Sequence, residues 1–103
     1  KKRPIMGEIA ARYSDFCVLT SDNPRYENPD MIIEEIASGI PTGYKAFVKI
    51  ENRYQAIKYA MQNAGKDDII VIAGKGDEDY QEIAGVKHHF SDREAVAQLL
   101  DEV

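Results

Sequence analysis

Three short apolar runs, alternating with segments of helical periodicity, constrain what this chain can fold into. They are "FCVLT" (16–20), "YKAFVKI" (44–50) and "DDIIVIAG" (67–74). The first is continuously apolar, as in a strand covered on both faces. The second alternates and is rich in strand formers, and the third places four β-branched residues before a glycine, the most pronounced strand pattern in the chain. Strands alternating with helices imply parallel pairing through right-handed crossovers, and therefore a layered α/β sheet.

The intervening segments carry helix signals. "PIMGEIAARYS" sets Ile5, Met6, Ile9 and Tyr13 on one stripe, with Pro4 tolerated in the first turn. "NPDMIIEEIASG" offers Asn28 as N-cap, Pro29 at the first helical position and Gly39 near the end. "ENRYQAIKYAMQNAG" starts at Asn52, lines up Tyr54, Ile57, Ala60, Met61 and Ala64, and stops at Gly65. "SDREAVAQLLDEV" opens with a capping box from Ser91 to Glu94. Between them, "GVKHHF" reads as a short strand, hairpin-paired with "YQEIA". The chain begins directly on a helix at "KKRP", which suggests a cut end and a sheet lacking its first strand; an unpaired edge is then expected.

At 103 residues the chain is one domain or part of one. Its net charge of −5 argues against a general nucleic-acid binder, which would present a basic face. No apolar run approaches the roughly 18 residues needed to span a bilayer, so no membrane role is expected, nor is a signal peptide evident. Cys17, the single cysteine, cannot form an internal disulfide and reads as a buried strand thiol; its solitude favours a cytosolic setting.

Ligands of such sheets sit beyond the carboxyl ends of the strands. Two loops there carry unusual chemistry. In "TSDNPR", Arg25 can hold a carboxylate through two parallel hydrogen bonds, Asp22 can accept from an ammonium group, and Asn23 can donate and accept. Pro24 stiffens the loop. An acid, an amide and a cation on a stiff loop suit a zwitterion such as an amino acid. The same residues also make a capped turn, with Asp22 pairing with Arg25 or capping the next helix.

In "AGKGDEDYQ", Gly74 and Gly76 allow close backbone approach. Glu78 could receive an amino group, and Lys75 could meet an acid. A tight turn with solvated charges fits this loop equally well. Its spacing is not that of a phosphate-binding P-loop. Adjacent His88 and His89 point to opposite faces of a strand and so share no metal. With no nucleophile beside a base, no metal-ligand spacing and no dinucleotide fingerprint, the chain does not read as a complete catalyst, and no catalytic or metal residue is assigned within it.

Taken together, "TSDNPR" followed by "NPD", then "NRYQAIKYAMQNAGKDDIIVIAGKGDEDYQ" and "FSDREAV", resemble the C-terminal domain of the Mur ligases, in particular those that add meso-diaminopimelate during peptidoglycan synthesis. The likeness covers nearly the whole chain. It implies a Rossmann-like three-layer α/β domain with a mostly parallel sheet, of which residues 1–103 would be most. The N-terminal UDP-binding domain and the central ATPase domain would lie outside the chain.

The activity implied is ATP-dependent ligation of meso-diaminopimelate to UDP-N-acetylmuramoyl-L-alanyl-D-glutamate, with ATP and Mg2+ bound mainly by the central domain. On that resemblance, Asp22, Asn23, Pro24 and Arg25 form the amino-acid recognition quartet, Gly74 and Glu78 contact the same amino acid, and a further arginine of the site belongs upstream of Lys1. Lysine-adding relatives lack an arginine at the Arg25 position. The family commonly has histidine where this chain has Asp77, which puts that position's role in doubt. The competing readings are a stand-alone α/β module for a nucleotide or phosphate, and a lysine-adding relative, against which Arg25 argues.

Overall fold

The computed structural model describes residues 2–102. The elements run α1 (Lys2–Tyr13), β1 (Cys17–Leu19), α2 (Pro29–Ala37), β2 (Phe47–Lys49), α3 (Arg53–Asn63), β3 (Tyr80–Ile83), β4 (Val86–His89) and α4 (Asp92–Asp101). Strands β1 and β2 pair in parallel with Cys17 opposite Phe47 and Leu19 opposite Lys49, so α2 is the crossover between them, as the alternation of patterns predicts. Helices with a parallel pair make this the expected α/β architecture.

Capping follows the sequence signals. The Asn28 side chain accepts from the amides of Asp30 (2.8 Å) and Met31 (3.3 Å), and Asn52 accepts from Gln55 (2.9 Å). At α4 only half of the expected box forms. Ser91 Oγ accepts from the Glu94 amide, but the Glu94 carboxylate turns to His89 Nε2 at 2.7 Å instead of reaching back to Ser91. The predicted hairpin is present: β3 and β4 are antiparallel with Ile83 opposite Val86. Its two-residue turn has positive φ at Ala84 (52°) and Gly85 (79°), which matches the right-handed twist of the flanking strands.

The core divides in two. Cys17, Leu19 and Ile33 form one cluster with Ile36, Tyr44 and Phe47 around it; Ile57, Ala95 and Leu99 form another with Tyr54, Met61 and Phe90. Cys17 is buried as expected, 3.5 Å from the Tyr44 hydroxyl. Burial, followed by that contact, pushes the Tyr44 hydroxyl up to about 12.

Two expectations need correction. In α1 the stripe of Ile5, Met6, Ile9 and Tyr13 faces outward, and the buried face is Gly7 and Ala11. Close approach to α2 selects that face. A Cβ on Gly7 would overlap the Ile36 carbonyl oxygen, and one on Gly39 would overlap the Pro4 carbonyl oxygen, so only glycines let these backbones meet.

The second correction concerns residues 69–72, the most pronounced strand pattern, which join no ladder among the described residues. Exposure there still alternates with the two-residue period of a strand: Ile69 89%, Ile70 40%, Val71 81%, Ile72 36%. Between this segment and β1 lies a groove of about 730 Å³, lined by Val18 and Thr20 on one side and residues 69–73 on the other. The Cys17 amide bonds to Ala46 and the Leu19 carbonyl accepts from Ile50, so β1 commits its odd-numbered positions to β2. Strand geometry then turns the backbone groups of Val18 towards the groove. A hydrophobic run forms a ladder only where a partner lies alongside, and here none does.

Gly7→Ala is expected to lower stability by about 1–3 kcal/mol in urea denaturation, because the α1–α2 contact cannot absorb a methyl group. Gly43→Ala is the control: nothing lies within 4 Å of where its Cβ would stand, and the midpoint should hold.

Candidate functional site

The two loops singled out in the sequence meet although their parent segments do not pair. The first leaves β1 at Thr20. Its Asn23 spans both loops, donating from Nδ2 to Glu78 Oε1 (3.2 Å) and accepting at Oδ1 from the Glu82 amide (2.7 Å). Arg25 follows at φ 56°, a left-handed conformation uncommon for a side-chain-bearing residue. Backbone pairing with β3 holds it there. The Arg25 amide donates to the Glu82 carbonyl (2.8 Å), the Ala84 amide donates to the Arg25 carbonyl, and Arg25 bridges Ile83 in parallel. Pro24, buried, sits inside this stitch.

The guanidinium of Arg25 is 57% exposed, and its Nε lies 3.7 Å from Glu82 Oε1, a loose pairing that leaves most of its donors free. Further along, Glu27 anchors the loop to Arg3 of α1 at 2.7 Å, and Arg3 also reaches Glu35 at 2.7 Å. The guanidinium holds the Glu27 carboxylate below its ordinary value.

The second loop turns on Gly74 (φ 106°) and Gly76 (φ 61°), conformations that favour glycine. Gly74 lies against Asp22, whose Oδ2 is 3.6 Å from where its Cβ would be. Lys75 is buried. Its ammonium donates to the Tyr80 carbonyl (2.5 Å) and sits 3.1 Å from Asp22 Oδ1. That last contact is charge attraction without good hydrogen-bond direction, since Asp22 Oδ1 makes no hydrogen bond among the described residues. Asp22 thus pairs with Lys75, neither with Arg25 nor with the next helix. Asp77 makes an exposed 3.4 Å pair with Arg93, of a kind that contributes little.

Sequence reasoning missed Arg53 and Asp92. Arg53 Nε and Nη2 donate to the two carboxylate oxygens of Asp92 at 2.8 and 2.9 Å, and the pair is 3% and 9% exposed. The same guanidinium donates to the Ser21 carbonyl (3.1 Å) and the Ala73 carbonyl (3.2 Å), at the roots of the two loops. One signal was available. Arg53 opens α3, where the helix dipole disfavours a cation, so its presence there calls for a specific anionic partner.

The site therefore presents two groups of opposite charge, the Arg25 guanidinium, loosely paired with Glu82, and the Glu78 carboxylate, one oxygen of which accepts from Asn23. All six sequence-predicted positions, Asp22, Asn23, Pro24, Arg25, Gly74 and Glu78, belong to this one loop cluster. The histidines stay apart from it: His89 faces Glu94, which holds its imidazole above the ordinary value of 6.5. No cluster of three or more metal-ligating side chains occurs among the described residues.

Comparison with known proteins identifies the frame that carries these loops. The pattern of the family described as "Mur ligase, glutamate ligase domain" matches residues 1–76. The chain belongs to the Mur ligase family. A relative from Caldanaerobacter subterraneus, named UDP-N-acetylmuramoyl-L-alanyl-D-glutamate--2,6-diaminopimelate ligase, is 54% identical over 98% of this chain and 21% of its own length. A similarly named ligase from Clostridium acetobutylicum is 52% identical over 99% of the chain and 21% of its own length. A solved structure of a ligase of that name superimposes with a TM-score of 0.92 at 42% identity, over 98% of this chain and 21% of that one. The chain thus spans about a fifth of the length of these Mur ligase relatives. The family pattern ends at Gly76, two residues short of Glu78, but the likeness to the relatives continues through nearly all of the remainder.

Lys75→Met is expected to destabilise the chain by about 1–3 kcal/mol in urea denaturation, since it strips the half-buried Tyr80 carbonyl and Asp22 of their partner. Asp77→Ala should leave the midpoint unchanged.

Proposed function

We propose that this chain is the amino-acid-binding part of an ATP-dependent ligase that joins meso-diaminopimelate to UDP-N-acetylmuramoyl-L-alanyl-D-glutamate in peptidoglycan synthesis. The observation that carries the reading is the gathering of opposite charges in one loop cluster: an exposed, loosely paired Arg25 guanidinium and a Glu78 carboxylate held by a single hydrogen bond from Asn23. A ligand end bearing both a carboxylate and an ammonium group complements that pair. Meso-diaminopimelate has two such ends; lysine lacks the second carboxylate and would leave Arg25 unmatched. The names of the relatives point the same way.

In this reading Arg25 clamps the carboxylate at the far stereocentre and Glu78 receives the adjacent ammonium group. Gly74 brings backbone close to the ligand. Asp22, Asn23 and Pro24 fix the loop that presents Arg25. The near amine is thereby held out towards the carboxylate it attacks, so the chain contributes positioning, which lowers the barrier by arranging the reactants beforehand.

ATP with Mg2+ supplies activation of the acceptor carboxylate. The loops described here do not fit that group. Lys75, the cation of the glycine-bearing loop, is turned inward onto Asp22 and Tyr80, and Asp77, Glu78 and Asp79 would repel a triphosphate. The same observation weighs against a stand-alone nucleotide or phosphate module. ATP, Mg2+ and the UDP-linked substrate are accordingly assigned to parts of the longer protein outside this chain.

The groove beside β1 supports assigning residues 1–103 to most, not all, of the domain. A strand supplied from elsewhere in the longer protein would pair with Val18 on one side and residues 69–72 on the other. No helix among the described residues is long and apolar enough to cross a membrane; a cytoplasmic setting, with no nucleic-acid partner, accompanies the proposed function.

Full-length protein carrying Arg25→Ala should lose about 100-fold in kcat/KM for meso-diaminopimelate, with KM for ATP unchanged. Equal kcat/KM for wild type and variant would refute the assignment. The chain purified alone should show no ATP-dependent ligation, and turnover by it would contradict the division of labour proposed here.

A further inference from the structure

We infer that Arg53 is a positioning residue that sets the spacing of the two ligand-binding loops. The inference rests on the proposed function for its ligand, but its geometry stands independently. The guanidinium is almost wholly removed from solvent and makes four hydrogen bonds: two to Asp92, one to the Ser21 carbonyl and one to the Ala73 carbonyl.

Ser21 directly precedes Asp22, and Ala73 directly precedes Gly74. One rigid planar group therefore ties together the origins of both loops. It is in turn held by a bidentate carboxylate on α4, whose N-terminal end is the favourable place for an anion. Gln81 of β3 also donates to the Ser21 carbonyl at 3.3 Å, so the root of the first loop is fixed from two sides.

No ladder joins the parent segments of these loops, because the groove beside β1 separates them. Sheet hydrogen bonding between those segments thus does not hold the loop roots in register; further out, Arg25 of the first loop is stitched to β3, which follows the second. At their tips Asn23 meets Glu78 through one exposed hydrogen bond, and Lys75 meets Asp22 by charge. At their roots Arg53 supplies the fixed link. The separation of Arg25 from Glu78, and so the length of ligand end that fits between them, then depends on this link at the roots together with the Arg25–β3 pairing at the tip.

Lysine cannot replace it. An ammonium group is a point charge without the planar fork and cannot face a bidentate carboxylate while reaching two carbonyls on opposite sides. Arg53 touches neither ligand nor reacting atoms in this arrangement; it acts through the loops.

The test uses the full-length protein with Arg53→Lys and Asp92→Asn, measured beside Arg25→Ala. In Arg53→Lys, KM for meso-diaminopimelate should rise about tenfold or more, with KM for ATP and for the UDP-linked substrate within about twofold of wild type. The preference for meso-diaminopimelate over lysine should narrow. Asp92→Asn, which keeps one acceptor and both carbonyl contacts, should move the same parameters less. If Arg53→Lys does not yield folded protein, Asp92→Asn decides by the same KM split.

A lowered thermal midpoint with unchanged KM for meso-diaminopimelate and unchanged selectivity would show a purely structural ion pair and overturn the inference. Amide hydrogen exchange provides a ligand-free arm. The amides of Asn23 and Glu78 should exchange faster together in Arg53→Lys while those of α2 do not; no change at either loop overturns the inference. Failure of the functional reading looks different. Wild type and Arg25→Ala would then handle meso-diaminopimelate alike, while the exchange arm still judges Arg53.

Discussion

A guanidinium taken out of water needs an acceptor for nearly every N–H, and the rest of this fold is arranged around meeting that demand at Arg53. Asp92 neutralises the charge and fills two donor sites; the Ser21 and Ala73 carbonyls take two more. Losing either partner of such a pair leaves an uncompensated buried charge, typically costing about 3–5 kcal/mol. That cost forces α3, α4 and both loop roots into one arrangement. Hydrophobic packing of Ile57, Ala95 and Leu99 brings α3 and α4 together, but being non-directional it does not choose which carbonyls face the guanidinium.

Above that pair, polar groups divide into those committed to architecture and those left over. Lys75 is turned onto Asp22 and the Tyr80 carbonyl, and Asn23 onto Glu78 and the Glu82 amide, so these groups tie the loops together. Arg25 is left over, and it is also the residue with a left-handed backbone, a conformation tolerated only where neighbouring structure over-determines it. Its two backbone hydrogen bonds to the β3 region do so. Preorganisation of this kind puts the ordering cost into folding and leaves less to be met when ligand arrives.

Local signals in the sequence carried well. Asn28, Asn52 and Ser91 cap the helices they precede, the "IAGV" turn makes a hairpin, and the two odd loops converge. Each depends on residues a few positions apart, or on a topological rule about strand ends. What was illegible depends on distance in space. Arg53 and Asp92 are 39 positions apart; a cation opening α3 asks for an anion, but nothing local says which. The outward stripe of α1 follows from backbone contact at Gly7, where an apolar periodicity count gives weight to large residues and none to glycine. Residues 69–72 have a strand's pattern, but a ladder needs a neighbour, and a neighbour is not a property of the segment itself.

The division of the core has a consequence for cooperativity. Cys17, Leu19 and Ile33 shelter under α2, while Ile57, Ala95 and Leu99 lie between α3 and α4, and among the described residues no large side chain is completely sealed from solvent. Two small clusters, joined through the buried Arg53 and the Phe16–Tyr59 stack, leave room for local opening before the whole unfolds. Both loop roots meet on Arg53, at the seam between the clusters. A ligand gripped by the two loops would reinforce that seam and raise the stability of the whole by mass action.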